Sequence, residues 1–123
     1  MFKVAIIGGD GFEDYELFEQ KCIKYLRKKG QEGCGIMVYT TGEKCNDKFS
    51  YRFGIDIRYF ICNWKRDGND ALKFRNEEML SDVDAVIAFD DGLKDTQFFL
   101  EMAKAKKIPY RFVKKEDSTE STS

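Results

Sequence analysis

Histidine is absent from this chain of 123 residues, proline occurs once, and no apolar run approaches the ~20 residues that span a bilayer. Each absence removes a class of function. Without histidine there is no Ser-His or Cys-His nucleophilic pair and the commonest transition-metal ligand is missing, so any general acid or base is a carboxylate, Lys, Tyr or Cys. No membrane association is expected. The opening run Met1 to Ile7 holds one lysine and stops at Gly8, too short for a signal-peptide core and without a small-residue cleavage site, so the expected location is cytoplasmic. Cysteine is sparse. Cys22, Cys34, Cys45 and Cys62 are separated by eleven, ten and sixteen residues, a spacing that suits neither a paired zinc motif nor a disulfide framework, and they read as reduced packing thiols. Charge of one sign is also lacking: 21 basic against 22 acidic residues give a net charge of -1 and no global field for nucleic acid, so no polynucleotide partner is expected.

What is present is ordinary for a globular domain, 42% hydrophobic and 35% charged residues. A chain of this length buries roughly two-thirds of its unfolded surface and holds one core without metals or cross-links. Residues 1–114 are expected to form that domain, and the polar stretch 115–123, rich in Ser and Thr, a disordered tail.

Apolar runs at Phe2 to Ile7, Ile36 to Tyr39, Ile55 to Cys62, Ala85 to Phe89 and Pro109 to Val113 read as strands. Helical patterns separate them. Phe18, Cys22, Tyr25 and Leu26 follow the i, i+4, i+7, i+8 rule, with acids at one end and Lys28 and Lys29 at the other, and Gly30 is expected to end that helix. Further helices are expected over Lys44 to Phe53, Asp70 to Ser81 and Thr96 to Lys106. The alternation predicts an α/β, Rossmann-like three-layer sandwich: a five-stranded parallel sheet in the order 3-2-1-4-5, right-handed crossovers, helices on both faces.

Ligands of such sheets bind beyond the carboxyl ends of the strands, where the order reverses. Here those ends carry Gly8-Gly9-Asp10-Gly11-Phe12 and Asp90-Asp91-Gly92-Leu93-Lys94-Asp95-Thr96. Glycines let backbone N–H groups approach an anion, and they serve simple turn geometry equally well. Arg75 lies three residues after Leu72 and four before Met79, on the apolar stripe of its helix, where a guanidinium needs a partner: a phosphate held bidentately, or Asp91 or another carboxylate. Asn76 beside it would bond a ribose hydroxyl or cap a neighbouring loop. Asp10, Glu13, Asp14, Asp90 and Asp91 crowd the same mouth; they would accept from ribose or a base amine or hold Mg²⁺ through water, and Glu13 and Asp14 also suit a helix dipole. Trp64, in an expected loop after the third strand, would stack on a base or anchor packing. Eleven Phe and six Tyr exceed what the core needs, leaving some for a subunit interface.

These segments resemble the YspA-related branch of the SLOG superfamily, the Rossmann-like group that includes the LOG-type cytokinin-activating phosphoribohydrolases. Gly8 to Leu17 is similar to the family's opening GG-x-x-F-x-D-x-x-L, Trp64, Gly68 and Ala71 to its W-x-x-x-G-x-x-A, Arg75-Asn76-Glu77-Glu78-Met79 to its R-N-x-x-M, and Asp91, Gly92 and Thr96 to its D-G-x-x-x-T. The family's middle S-G-G-A-R-G-A-D loop stands here as Thr40 to Asp47, with Thr41 and Cys45 in place of glycines, and Asp95 replaces the glycine before Thr96. The glutamate that assists N-glycosidic cleavage in LOG-type enzymes corresponds to Phe99, and the lysine after their arginine to Asn76.

The resemblance implies a pocket for a nucleotide or nucleotide-derived molecule and self-association into a homo-oligomer. Residue chemistry and resemblance together give a ligand-binding set of Gly8, Gly9, Asp10, Phe12, Thr41, Gly42, Trp64, Arg75, Asn76, Met79, Asp91, Gly92, Lys94 and Thr96, with no metal site and no required cofactor. The leading expectation is a non-catalytic sensor or sequestering protein for an ADP-ribose-like or cyclic nucleotide signal, in conflict between bacteria and phages. The alternatives are a nucleotide N-glycoside hydrolase using Asp90 or Asp91, and a degenerate SLOG fold serving as an interaction module.

Overall fold

The computed structural model describes residues 1–12 and 14–115; Glu13 and almost all of the expected tail, residues 116–123, lie outside the described residues. Strand β1 (Phe2–Ile7) is followed by α1 (Tyr15–Gln31), β2 (Ile36–Thr40), α2 (Lys44–Phe53), β3 (Asp56–Tyr59), a short α3 (Trp64–Asp67), α4 (Ala71–Leu80), β4 (Ala85–Phe89), α5 (Lys94–Ala105) and β5 (Tyr110–Val113). All five strands are parallel in the order β3-β2-β1-β4-β5, as the alternation of apolar runs predicts. Val4 of central β1 faces Val38 of β2 on one side and Ala85 of β4 on the other, so the reversal of strand order falls between β2 and β4.

Period-two alternation along β1 sorts the core into two layers. Val4 and Ile6 pack with Phe18, Cys22 and Leu26 of α1 and Phe49 of α2, while Ala5 and Ile7 pack with Met79 and Leu80 of α4 and Phe99, Leu100 and Ala103 of α5. The first layer is aromatic at the top of the sheet, where Phe18 meets Phe89 at 4.8 Å between ring centroids and Phe12 meets Phe89 at 5.2 Å. Burial of these faces is the main stabilising force. Lys3, Tyr39 and Arg58 converge on the Asp82 carboxylate, tying β1, β2 and β3 to the α4–β4 turn.

The local differences have simple causes. Helix α1 continues through Gly30 to Gln31, and the turn is made at Gly33, whose φ of +79° is the conformation glycine adopts without strain. Pro109 sits just before β5: it has no N–H to donate, but its carbonyl accepts from Val86 N at 2.9 Å. Strand β3 stops at Tyr59, where its partner β2 ends at Thr40. Trp64 opens a one-turn helix rather than a loop, because Asn63 caps it by accepting from Arg66 N at 3.0 Å.

Candidate functional site

A cleft of about 440 Å³ opens beyond the carboxyl ends of β1 and β4, at the switch point. Its walls come from the loops that follow four strands and from α4 and α5: Gly8, Thr41 and Glu43, then Ile61, Cys62 and Trp64, Leu72 and Arg75, and Asp91, Leu93, Asp95, Thr96 and Phe99. Arg75, Trp64, Thr41, Gly8, Asp91 and Thr96 of the expected set line it. The remaining members do not, and each has a definite place elsewhere.

Arg75 is held half-buried on the wall. Its Nε and Nη2 both donate to Asn76 Oδ1, at 3.1 and 2.9 Å, which aims the guanidinium without neutralising it. Among the described residues no carboxylate oxygen lies within 4.0 Å of it; the ion pairs fall on other residues. Desolvation lowers its proton affinity, opposed by the fields of Cys62, Asp95 and Glu43, and a guanidinium remains charged through such a shift. The carboxylate expected as its structural partner is therefore corrected to the Asn76 amide. Asn76 itself is fully buried, with Nδ2 against Met102 Sδ at 3.7 Å, so it braces Arg75 from behind instead of reaching a ribose. Met79 and Phe12, expected to touch ligand, are core residues at 0% and 5% exposure, because α4's inward face and the Phe89 ring take them.

The glycine turn after β1 is already occupied by a side chain of the same molecule. Gly8 N donates to Glu43 Oε2 at 3.1 Å and Asp10 N to Glu43 Oε1 at 3.4 Å. In return, the Asp10 carboxylate accepts from Lys44 N at 2.9 Å and Cys45 N at 2.8 Å, capping α2 from outside its own segment. This reciprocal clasp engages the Gly8 and Asp10 N–H groups, two of the backbone donors in the turn expected to meet phosphate. The glycines serve packing: a Cβ on Gly8, at φ +83°, would lie 2.2 Å from Phe89 O, and one on Gly9 would lie 2.4 Å from Cys45 Sγ and 2.7 Å from the Phe18 ring. Gly42, at φ +101°, donates to Thr40 Oγ1 at 3.1 Å.

Asp91 organises the second turn. Its carboxylate accepts from Leu93 N at 2.9 Å and from Thr96 Oγ1 at 2.7 Å, locking the entry to α5, while Gly92, at φ +75°, donates to Asp90 Oδ1 at 3.3 Å. Asp91, Gly92 and Thr96 thus form a turn clasp, with Asp90 outside the cleft lining and Lys94 exposed at the first position of α5. Trp64 presents its ring to the cleft at 60% exposure, which rules out a buried anchor.

Glu43 is the group that sequence reasoning missed. Burial pushes its carboxyl up to about 7, with the negative charges of Asp10 and Asp91 adding to the effect and the N–H groups of Asp10 and Gly8 opposing it. One signal was legible: an acid directly before α2, after a strand ending in Thr, is a helix-start pattern, and here it points sideways into the neighbouring turn. Behind it, buried Asn46 donates from Nδ2 to Thr40 Oγ1 at 2.7 Å and to Ile6 O at 2.9 Å, pinning α2 to the sheet top. Among the described residues the cleft lining therefore carries one cation, Arg75, and three acids, Glu43, Asp91 and Asp95.

Among the described residues no three of Cys, Asp and Glu gather as a metal-binding group, the four cysteines are free thiols, and no helix is long and apolar enough to cross a membrane. No family model, curated protein or solved structure matches the chain.

Proposed function

We propose that this chain is a SLOG-like domain that binds a nucleotide-derived small molecule, ADP-ribose-like or a cyclic nucleotide, and holds it without turning it over. The observation that carries this reading is Arg75: a guanidinium drawn partly out of water, aimed by Asn76 into a cleft at the switch point, with no carboxylate to neutralise it among the described residues. Such a group meets a phosphoryl oxygen pair with charge-assisted bonds. The clasp around Glu43 sets the polarity of the rest. Phosphate belongs on the Arg75 side, and hydrogen-bond donors of the ligand, ribose hydroxyls or an exocyclic amine, belong on the Glu43 side. Trp64 offers a face for a base. A volume of about 440 Å³ suits a mononucleotide-sized guest.

The role fitting this chemistry is a cytoplasmic sensor or sequestering protein, in the setting of phage and bacterial conflict that the resemblance suggests. Self-association is part of the proposal, supported by the exposed apolar side chains Ile61, Trp64, Phe74, Leu93 and Phe98. The test is mass spectrometry of small molecules released by denaturing the purified native protein. A stoichiometric phosphorylated nucleoside supports the reading; a protein that is empty and gains no thermal stability from any nucleotide tested contradicts it.

A second reading, hydrolysis of a nucleotide N-glycosidic bond, is favoured by Glu43, whose carboxyl near 7 can both give and take a proton at neutral pH. It requires free base to accumulate from NAD or nucleoside monophosphates and to stop accumulating on Glu43→Gln. Asp91, tied twice in its turn, is the weaker candidate for that work.

A further inference from the structure

The strip of sheet beside α1, at the end opposite the cleft, is a second groove. A doubly wound sheet needs helices over both faces. Here α1 and α2 lie on the face of Val4, Ile6 and Ile87, and among the described residues no helix after β5 continues that layer over β4 and β5. What is left is a groove of about 600 Å³, roughly a third larger than the cleft of about 440 Å³, floored by Phe2, Val4, Ala85 and Ile87 and walled by Tyr25 of α1 and Tyr110 at the sheet edge.

Its charge is the reverse of the cleft's. Among the described residues Lys24 and Arg111 are the charged members of its lining, and no carboxylate joins them. Both lean on one ring: Arg111 lies 5.7 Å and Lys24 5.9 Å from the centroid of Tyr25. Neither has a carboxylate within 4.0 Å among the described residues. Lys29 above Phe2 at 5.2 Å and Lys104 above Tyr110 at 5.4 Å extend the positive rim, each with its own acid nearby, Glu32 and Glu101. A chain whose net charge is -1 has thus gathered unneutralised cations around an apolar, aromatic hollow.

We infer that this groove is a second ligand site, for an amphipathic organic anion: an aromatic body with a single carboxylate or sulfonate-type head. The body covers Phe2 and Ala85 between the tyrosines, replacing water over half-buried apolar surface. The head lies between Lys24 and Arg111, where charge-assisted hydrogen bonds and the absence of any lining acid favour an anion over a neutral analogue. Nothing in the assignment depends on the switch-point cleft, and the two sites are expected to fill independently.

The probe is 8-anilinonaphthalene-1-sulfonate, titrated into the native full chain by fluorescence and by amide NMR, with the uncharged N-phenyl-1-naphthylamine as control. Saturable one-site binding is expected, with shifts centred on Ala85, Ile87 and Arg111. The neutral probe should bind at least about tenfold more weakly, as should the sulfonate to Lys24→Glu/Arg111→Glu, and Arg75→Gln should leave it unchanged. Lys24 and Arg111 are exposed, so the double variant should keep its circular dichroism spectrum. Equal affinity for charged and neutral probes, non-saturable binding, or shifts centred on the cleft overturns the inference. So does binding that emerges only after residues 116–123 are removed, which would make this chain's own acidic end the occupant, or a sedimentation-detected dimer whose dissociation frees the groove, which would make it a second copy.

Discussion

Replacing Glu43 by Gln should change how stability depends on pH, and the size follows from the clasp. The carboxyl stands near 4.5 in the unfolded chain and at about 7 when folded, raised first by burial. Between those values the folded state keeps a proton that the unfolded state has lost. Stability from this group is therefore complete below the unfolded value and drains away as pH rises through the folded one. A shift of that size corresponds to about 3 kcal/mol at ~1.36 kcal/mol per pH unit, and partial contact with water reduces it to about 2 kcal/mol. The Gln side chain has no proton to lose, and its oxygen still accepts from Gly8 N, though its amide cannot also accept from Asp10 N. Urea unfolding of both proteins at several values from about pH 5 to 8 isolates the effect: wild type minus variant should fall by about 2 kcal/mol across the range. Parallel curves, differing by a constant, would show that Glu43 is ionised and solvated throughout, and the account of the occupied glycine turn would fail.

Other substitutions probe the same architecture. Gly9→Ala places a methyl 2.4 Å from Cys45 Sγ and 2.7 Å from the Phe18 ring, and should cost about 1–3 kcal/mol by chemical denaturation, against near-neutrality if the turn can breathe. Asp91→Ala leaves the buried Thr96 hydroxyl without its acceptor and should cost about 1–3 kcal/mol; Asp91→Ala/Thr96→Val should cost less than the sum of the single changes, and strict additivity would refute the turn clasp. Exposed Cys34 should react first with a thiol reagent in the native state, while Cys22 and Cys45, buried and with thiol pKa raised mainly by desolvation, should react only on unfolding.

The architecture was legible because its signals are local and redundant. The central strands β1 and β4 are short apolar runs, α1 and α5 carry clear apolar stripes, and a five-stranded sheet with long crossovers leaves few orders open. Arg75 was legible on the same logic, since a cation on an apolar stripe must be held by something. Its partner was not, because the nearest acceptor is its own neighbour in sequence, Asn76, whose contact requires a particular rotamer that no pattern encodes. The glycine turn misled for a related reason. Gly8 and Gly9 look the same whether they bare N–H groups to a ligand or make room for Phe89 and Phe18, and only the long-range approach of Glu43 across 35 residues decides which. Phe12 and Met79 belong to motifs in sequence and to the core in space. The groove beside α1 left no linear trace, since Phe2, Lys24, Ala85 and Arg111 meet only through the sheet order.

The central claim is that Arg75 stands as a cation awaiting a phosphoryl group. Calorimetric titration of the native protein with ADP-ribose and with a cyclic mononucleotide, repeated on Arg75→Gln, tests it most directly. The account predicts saturable binding of at least one of them, weakened about 10–100-fold by a substitution that leaves the unfolding transition in place. Affinity that is the same with and without the guanidinium, or no heat from either ligand, would contradict it.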